Sequence, residues 1–216
     1  MYKAIIFDFD GVLVNTTSNY VKAFHKVLKA NNITADDNEL KSHFGKPVLE
    51  IMAECVPKKN KVGDAQKLAS EFHEEVSRKW FMDDMALFPK TENILQELKK
   101  QGLLLAIASG TNSAFLIRFL DYLNIRKYFN VVLGSNDVKN CKPYPEIALK
   151  AVDSLGITAQ DALYIGDAKA DVSVAKGANV ASAIVLTGVL NREEAEKLSP
   201  DYILKDLSEI WRILGK

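Results

Sequence analysis

Short apolar runs recur along the chain, and each has the length of a β-strand. They cover residues 4–7, 103–108, 130–133, 162–165 and 180–185. Helical patterns separate the later runs, and hydrophobicity within each run is continuous rather than alternating. Continuous hydrophobicity is expected of parallel strands that helices cover on both faces. The pattern therefore predicts an α/β fold with a doubly wound parallel sheet, whose chemistry clusters at the carboxyl ends of the strands.

The interval from residue 15 to residue 88 breaks this alternation. It contains several amphipathic helical patterns and no convincing strand. Two apolar stripes at helical spacing are expected to be packing surfaces: Tyr20, Phe24, Val27 and Leu28, then Phe72, Val76 and Trp80. We therefore expect a core of residues 1–14 and 89–216, with residues 15–88 as a helical insertion.

Length and charge restrict the class of protein. At 216 residues the chain suits one core domain with a small inserted module. Basic and acidic residues are equal, at 28 each, so no global field attracts nucleic acid or an anionic membrane. The two cysteines fit a reducing compartment, and no apolar run approaches membrane-spanning length. We expect a cytoplasmic protein, monomeric or weakly dimeric, without nucleic-acid or membrane partners.

Two aspartates directly follow the first predicted strand. Asp8 and Asp10 are separated by one residue, so strand alternation would point both to the same side. Such carboxylates repel each other unless a cation or a shared proton relieves them, and Gly11 permits a tight turn beside them. Taken alone, the pair is an even choice between a catalytic site and two solvated turn residues.

The second predicted strand ends in a possible anion-binding loop. Ser109, Gly110, Thr111 and Asn112 supply small hydroxyls and flexible backbone before a helix, whose first N–H groups suit a phosphate. Ser109 could equally be a helix cap. Read by itself, this loop is a weak signal.

Two further segments add charge at strand ends. Lys142 precedes two prolines that stiffen the start of a helix near Glu146, and a fixed lysine can neutralise a phosphoryl group. Asp167 and Asp171, four residues apart at a strand-to-helix junction, could complete a cation site. Together, the four segments carry the groups that phosphoryl transfer through a carboxylate needs.

The sequence at this point resembles the haloacid dehalogenase superfamily over nearly the whole chain. The matching motifs are, in order, Asp8-Phe9-Asp10-Gly11-Val12, Ser109, Lys142-Pro143, and Gly166-Asp167 with Asp171. The resemblance implies a Rossmann-like core with a helical cap inserted between the first two motifs, where the helical insertion lies. It also implies a phosphatase rather than a dehalogenase, because dehalogenases lack a general acid at the position of Asp10.

The resemblance further implies roles for these residues. Asp8 attacks phosphorus, and Asp10 protonates the leaving oxygen and then activates water against the phosphoaspartate. Mg2+ is held by the Asp8 carboxylate, the Asp10 backbone carbonyl and Asp167, whereas Asp171 is a supporting residue. Lys142 stabilises negative charge on Asp8 and on the substrate.

Substrate binding is divided between two loops in this interpretation. Ser109 and the N–H of Gly110 bind the transferring phosphoryl group, and Thr111 and Asn112 of the same loop are also expected to bind it. Lys46, in the helical insertion, is the candidate to meet a substrate carboxylate or second phosphate, although it could be a solvated loop lysine. The expected partner is a small-molecule phosphate ester.

The alternatives lie inside and outside the superfamily. The chain looks like the phosphoglycolate phosphatase and β-phosphoglucomutase group. Gly166 before Asp167 and the lack of an arginine near Lys46 favour a phosphatase acting on a phosphoglycolate-like or sugar phosphate. A phosphomutase stays an alternative, and a pyrophosphatase a less favoured one. A phosphoaccepting regulatory domain would order its residues differently, and a catalytically silent binding protein has no positive support because every motif position is filled.

Overall fold

The structure is a computed structural model that describes residues 2–44, 47–55 and 62–215. The chain folds into two compact units, one of Met1–Asn15 with Ala86–Lys216 and one of Thr16–Met85. No helix among the described residues is long and apolar enough to cross a membrane.

The first unit is built on one parallel sheet. Its strands are β1 (Ala4–Phe7), β2 (Leu104–Ala108), β3 (Val131–Leu133), β4 (Ala162–Gly166), β5 (Ala181–Val185) and β6 (Tyr202–Leu204). All neighbouring pairs are parallel, in the order β3-β2-β1-β4-β5-β6. The predicted doubly wound parallel sheet is confirmed. The sequence did not predict β6, which is a three-residue edge strand paired with β5.

Eleven α-helices accompany the strands in the described part of the chain. Those of the second unit are α1 (Thr17–Ala30), α2 (Asp37–Ser42), α3 (Val48–Cys55), α4 (Val62–Ser77) and α5 (Lys79–Asp83). Those of the sheet unit are α6 (Thr91–Lys100), α7 (Ser113–Tyr122), α8 (Glu146–Leu155), α9 (Lys169–Gly177), α10 (Arg192–Leu198) and α11 (Ile210–Leu214). Helix α8 begins at the residue where the sequence predicted a helix start.

The central strand β1 explains the continuous apolar runs. All four of its residues are fully buried. Ile6 belongs to a core cluster with Ile147 of α8 and Val174 of α9, whereas alternation turns Phe7 to the opposite face, where its ring meets that of Phe129 edge-on. Because both faces are covered, no position of this strand is free to be polar.

Strand register brings the motif residues to one edge. In β1, Phe7 pairs with Ile107 of β2 and with Ile165 of β4, so the three strands end at nearly the same level. The chain continues to β2 and β3 on one side of β1 and to β4, β5 and β6 on the other. Ligands of open α/β sheets bind at the carboxyl edge of such a switch point.

The described residues of the second unit form helices and no strand. The predicted stripe of α1 packs on α4, with the rings of Phe24 and Phe72 4.3 Å apart and that of Tyr20 6.1 Å from Phe72. Trp80, the last residue of the second predicted stripe, lies instead on α5, because the chain is extended at Arg78 between the two helices. The fully buried Asn19 donates to the Phe81 carbonyl at 2.7 Å, which ties α1 to α5. This unit is therefore held by an aromatic core of its own.

The bounds of the two units differ slightly from the predicted 14 and 89. An antiparallel bridge joins Val14 to Leu87, and the Phe88 N–H donates to the Leu13 carbonyl at 3.0 Å. These backbone contacts attach residues 86–88 to the sheet unit. The pattern of apolar side chains in the sequence does not predict these backbone contacts.

Candidate active site

Asp8 and Lys142 form a buried ion pair directly after β1. Lys142 Nζ lies 2.9 Å from Asp8 Oδ2 and 2.7 Å from Asp171 Oδ1, and only 4% of Lys142 is exposed. Asp8 Oδ1 accepts from the Phe9 N–H at 2.7 Å. Burial alone lowers the pKa of Lys142, but the Asp171 and Asp8 carboxylates outweigh it and hold that pKa well above its usual value. Lys142 is therefore a permanent cation shared by two carboxylates.

Lys142 lies in a loop that is closed by hydrogen bonds to Glu146. Glu146, at the start of α8, accepts from the N–H groups of Lys139 and Asn140 at 2.7 Å and 2.9 Å. The Lys142–Pro143 peptide bond is cis. Lys142 therefore extends from a loop whose backbone is bound to Glu146 at the N-terminus of α8.

Asp171 organises its neighbours rather than facing solvent. Besides Lys142, its carboxylate accepts from the N–H groups of Asp167 and Ala168 at 3.1 Å and 3.0 Å. The Tyr164 hydroxyl lies 3.4 Å from Asp171 Oδ1 and donates to the Ala108 carbonyl at 2.8 Å. Both carboxylate oxygens of Asp171 are therefore occupied by protein donors.

Gly166 makes room for this arrangement. A Cβ at position 166 would lie 2.2 Å from the Cβ and Cγ atoms of Asp171. No real side chain tolerates such a contact, so the residue before Asp167 must lack a Cβ here.

Asp167 is clamped by the segment that follows β5, residues 187–190. The Val189 N–H donates to Asp167 Oδ2 at 2.8 Å, and the Leu190 N–H donates to the Asp167 carbonyl at 3.1 Å. Cβ atoms at Gly11 and Gly188 would lie 2.3 Å and 1.9 Å from the same Oδ2. One carboxylate oxygen is therefore enclosed by two glycine backbones.

The same segment also holds the loop of the first motif. The Thr187 hydroxyl donates to the Gly11 carbonyl at 2.7 Å, and Gly11 has a φ of 74°, in the left-handed region that favours glycine. Residues 187–190 thus connect the turn after β1 with the acid after β4.

Three buried carboxylates lie close enough to share one cation. One oxygen each of Asp8, Asp167 and Asp171 lies within 4.8 Å of the others. Among the described residues that form ion pairs with them, Lys142 supplies one ammonium, so these four groups, when fully ionised, carry two excess negative charges. Carboxylate oxygens are the ligands that hard divalent cations such as Mg2+ prefer. The residues present therefore fit such an ion.

Burial and neighbouring charges raise the pKa of two of these acids. Burial raises the pKa of Asp8 to about 7; Lys142 opposes this shift, whereas Asp171 and Asp10 add to it. Burial, with the charges of Asp171 and Asp8, raises the pKa of Asp167 well above its usual value. Each shift favours the protonated acid, as expected of carboxylates that are removed from water and lie close to one another.

Asp10 lies beside this group and contacts the loop that follows β2. The Thr111 hydroxyl donates to Asp10 Oδ2 at 2.8 Å, and Asp10 is half-buried. Ser109 is buried, and its Oγ accepts from the Thr111 N–H at 3.2 Å. Gly110 is exposed, and a Cβ there would meet nothing within 4 Å.

A profile of haloacid dehalogenase-like hydrolases matches residues 5–185. The chain belongs to this family. Its relatives include phosphoglycolate phosphatase from Shigella boydii, 28% identical over 241 residues that cover 99% of this chain and 92% of the relative. Another is pyrophosphatase PpaX from Oceanobacillus iheyensis, 26% identical over 215 residues that cover 99% and 97%. The solved structure of a predicted phosphatase from Clostridium acetobutylicum has a TM-score of 0.89 and 25% identity, and the match covers 100% of both chains.

This haloacid dehalogenase-like hydrolase brings most of the predicted site residues to one edge of its sheet. Lys142 contacts both Asp8 and Asp171, Asp171 contacts the Asp167 backbone, and Asp10 contacts Thr111. Lys46 lies outside the described residues.

The loop after β2 departs from one alternative in the sequence analysis. Helix α7 begins at Ser113, and its cap is Asn112, whose side-chain oxygen accepts from the Ala114 N–H at 2.9 Å. The alternative in which Ser109 caps this helix is therefore wrong. The Asn112 oxygen has a structural role, which weakens the expectation that this side chain binds phosphate.

Residues 187–190 are the part of the hydrolase site that the sequence analysis missed. A glycine directly after Thr187, at the end of a buried strand, was the only signal that could have indicated them.

Proposed function

We propose that this hydrolase is a magnesium-dependent phosphatase that cleaves small-molecule phosphate monoesters through a phosphoaspartate on Asp8. The observation that carries the proposal is the buried Asp8 carboxylate, paired at 2.9 Å with Lys142 and accompanied by two further buried acids. A carboxylate in this setting has a cation beside it and a place for a divalent ion, both of which neutralise an incoming phosphoryl group. Membership of a hydrolase family and relatives named as phosphatases support the same reaction.

In the first half of the reaction, an Asp8 oxygen attacks phosphorus and the ester P–O bond breaks. Asp10, protonated at that stage, gives its proton to the departing oxygen, so the alcohol leaves uncharged. The hydroxyl of Ser109 and the N–H of Gly110 hold the phosphoryl oxygens, and Lys142 balances the charge shared by Asp8 and the substrate.

In the second half, Asp10 takes a proton from water, and the resulting oxygen nucleophile attacks phosphorus. The bond between phosphorus and Asp8 breaks, which releases inorganic phosphate and restores the Asp8 carboxylate. Asp10 is again protonated and ready for the next ester.

Magnesium would be held by the Asp8 carboxylate, the Asp10 backbone carbonyl and Asp167. When bound, it supplies positive charge to the phosphoryl oxygens and offsets the surplus of buried carboxylates. Asp171 serves in this scheme as a supporting residue, because its oxygens already accept from Lys142 and from backbone N–H groups.

We further propose that residues 16–85 act as a cap that selects the substrate, with Lys46 as a contact for a substrate anion. The relatives support a phosphoglycolate-like ester as the first substrate to test. Pyrophosphate is the second, because one relative is named a pyrophosphatase.

The proposal is tested by measuring phosphate release from the purified protein with Mg2+. The panel contains phosphoglycolate, hexose phosphates, pyrophosphate, nucleotides and p-nitrophenyl phosphate. We expect release from one or more esters, and loss of at least about 1,000-fold in Asp8→Asn. The matched control is Asp153→Asn, an exposed aspartate of α8, which should retain full activity.

Three outcomes would contradict parts of the proposal. Full turnover in Asp8→Asn would reject the phosphoaspartate. Isomerisation of a hexose phosphate without net release would favour a phosphomutase. Release from pyrophosphate alone would replace the ester substrate with a pyrophosphatase activity.

A further inference from the structure

Thr111 donates its hydroxyl hydrogen to Asp10 Oδ2 at 2.8 Å, across the gap between the loops that follow β1 and β2. We infer that Thr111 is a positioning residue, which fixes the orientation of the Asp10 carboxyl for proton transfer to the leaving group. The inference rests on the proposed function, in which Asp10 is the general acid. It differs from the sequence-based expectation that Thr111 binds the phosphoryl group.

The Thr111 backbone is held on both sides, so its hydroxyl has a fixed origin. The Ser135 N–H donates to the Thr111 carbonyl at 3.1 Å, and the Thr111 N–H donates to Ser109 Oγ at 3.2 Å. Gly134 packs closely here, since a Cβ on it would lie 2.5 Å from the Thr111 carbonyl oxygen. The hydroxyl is therefore presented by a loop that two neighbouring segments restrain.

The Asp10 backbone is restrained as well. A bridge pairs Asp10 with Val14, and the Gly11 N–H donates to the Val14 carbonyl at 3.0 Å. Thr187 also holds the Gly11 carbonyl. The bond from Thr111 adds a restraint on the rotation of the Asp10 side chain.

The direction of this hydrogen bond defines what Thr111 contributes. The Thr111 hydroxyl is the donor and Asp10 Oδ2 the acceptor. In the first half of the reaction, the O–H bond of the Asp10 carboxyl breaks and the ester oxygen gains that hydrogen. The Thr111 hydrogen stays on Thr111 throughout, so Thr111 contributes orientation and no proton.

This role predicts a dependence on the leaving group. An ester whose leaving oxygen is strongly basic needs the proton from Asp10, whereas a stabilised aryl oxide departs without it. Phenyl phosphate and p-nitrophenyl phosphate are a matched pair of this kind, because they differ only by the nitro group. A residue that merely supports the fold would affect both esters equally.

The test compares kcat/KM for these two esters in Thr111→Val, Thr111→Ala and Thr111→Ser, with Mg2+ saturating. We expect Thr111→Val and Thr111→Ala to lose at least about tenfold more kcat/KM on phenyl phosphate than on p-nitrophenyl phosphate. Thr111→Ser keeps the hydroxyl and should remain within about threefold of the parent on both. Thr111→Ala provides a second donor-free variant if valine disturbs the fold.

Two control variants, Asp8→Asn and Asp10→Asn, distinguish a failure of the Thr111 role from a failure of the proposed function. Asp10→Asn should show the full leaving-group effect, and Asp8→Asn should lose turnover of both esters. Equal losses on the two esters in Thr111→Val and Thr111→Ala, or none, would overturn the role of Thr111 while Asp10→Asn still shows the effect. Absence of the effect in Asp10→Asn itself would instead reject the proposed general acid.

Discussion

The Lys142 ammonium lies 2.9 Å from the Asp8 carboxylate, and both groups are shielded from water. Lys142→Met keeps a long unbranched side chain and removes its charge, which leaves three buried acids without the counter-charge of the lysine. We expect kcat to fall by about 100- to 1,000-fold, the size of effect seen when one charge-stabilising group is removed. We also expect a loss of about 3–5 kcal/mol in the free energy of unfolding, measured by urea titration without Mg2+.

The matched control for this lysine is Lys197→Met. Lys197 lies on the surface of α10, where it pairs with Glu193. Its replacement should change stability by less than about 0.5 kcal/mol and leave kcat unchanged. A similar loss of activity in both variants would mean that the charge of Lys142 has no special role.

Magnesium should stabilise the folded protein, because it offsets the surplus charge of Asp8, Asp167 and Asp171. At 100 times its dissociation constant, the ion should add about 2.7 kcal/mol to the free energy of unfolding. At a pH that ionises Asp167, Asp167→Asn should be more stable than the parent in EDTA, since one repelling charge is gone, and should gain little from Mg2+. Thermal unfolding with and without the ion measures both effects, and an unchanged Mg2+ response in Asp167→Asn would remove it from the metal site.

The pH dependence of stability without Mg2+ follows from the raised pKa of Asp8, about 7 in the folded protein. The unfolded aspartate has a pKa of about 3.9, so between these values the folded state holds a proton that the unfolded chain has lost. The resulting stabilisation is complete below pH 4 and disappears as the pH rises through 7. Asp8→Asn should therefore show a weaker decline in the urea midpoint between pH 5 and pH 8. Identical slopes for the two proteins would contradict the raised pKa.

Gly188→Ala tests the clamp around Asp167. Because a Cβ would lie 1.9 Å from Asp167 Oδ2, the carboxylate must move. We expect Mg2+ affinity, measured by titration of the unfolding temperature, to fall at least about tenfold, as seen when groups that orient metal ligands are altered. Val189→Ala is the control, since it keeps the N–H that donates to Asp167 and changes only a partly exposed side chain. Equal affinities in the two variants would show that the close approach has no effect on the ion.

The sequence predicted that Asp8, Lys142 and Asp167 converge. Asp8 and Asp167 directly follow buried parallel strands, and Lys142 lies in the segment between β3 and α8. In a parallel sheet these strand ends share one edge, so residues that follow different strands lie close together. Contiguous apolar runs located five strands. The edge strand β6 was missed because three residues give too short a run to separate from a loop.

Other features depend on close backbone contacts, which cannot be predicted from residue types. The clamp at residues 187–190 acts mainly through N–H groups and through missing Cβ atoms, and its contact with Asp167 spans more than twenty residues of sequence. The assignment of Asn112 rather than Ser109 as the cap of α7 depended on where the helix begins, a boundary that hydrophobic periodicity locates only roughly.

The packing of Gly166 against Asp171 also limits how this chain could acquire a new activity. In the group that this sequence resembles, mutases usually carry two adjacent acids in the last motif. In this chain, the same pattern would require an acid at position 166, directly before Asp167. That replacement would drive a side chain into the carboxylate that holds Lys142. A route from hydrolysis to phosphoryl isomerisation through this position therefore requires Asp171 to be relocated first, and the intermediate sequence would lose its hold on the lysine before any new chemistry appeared.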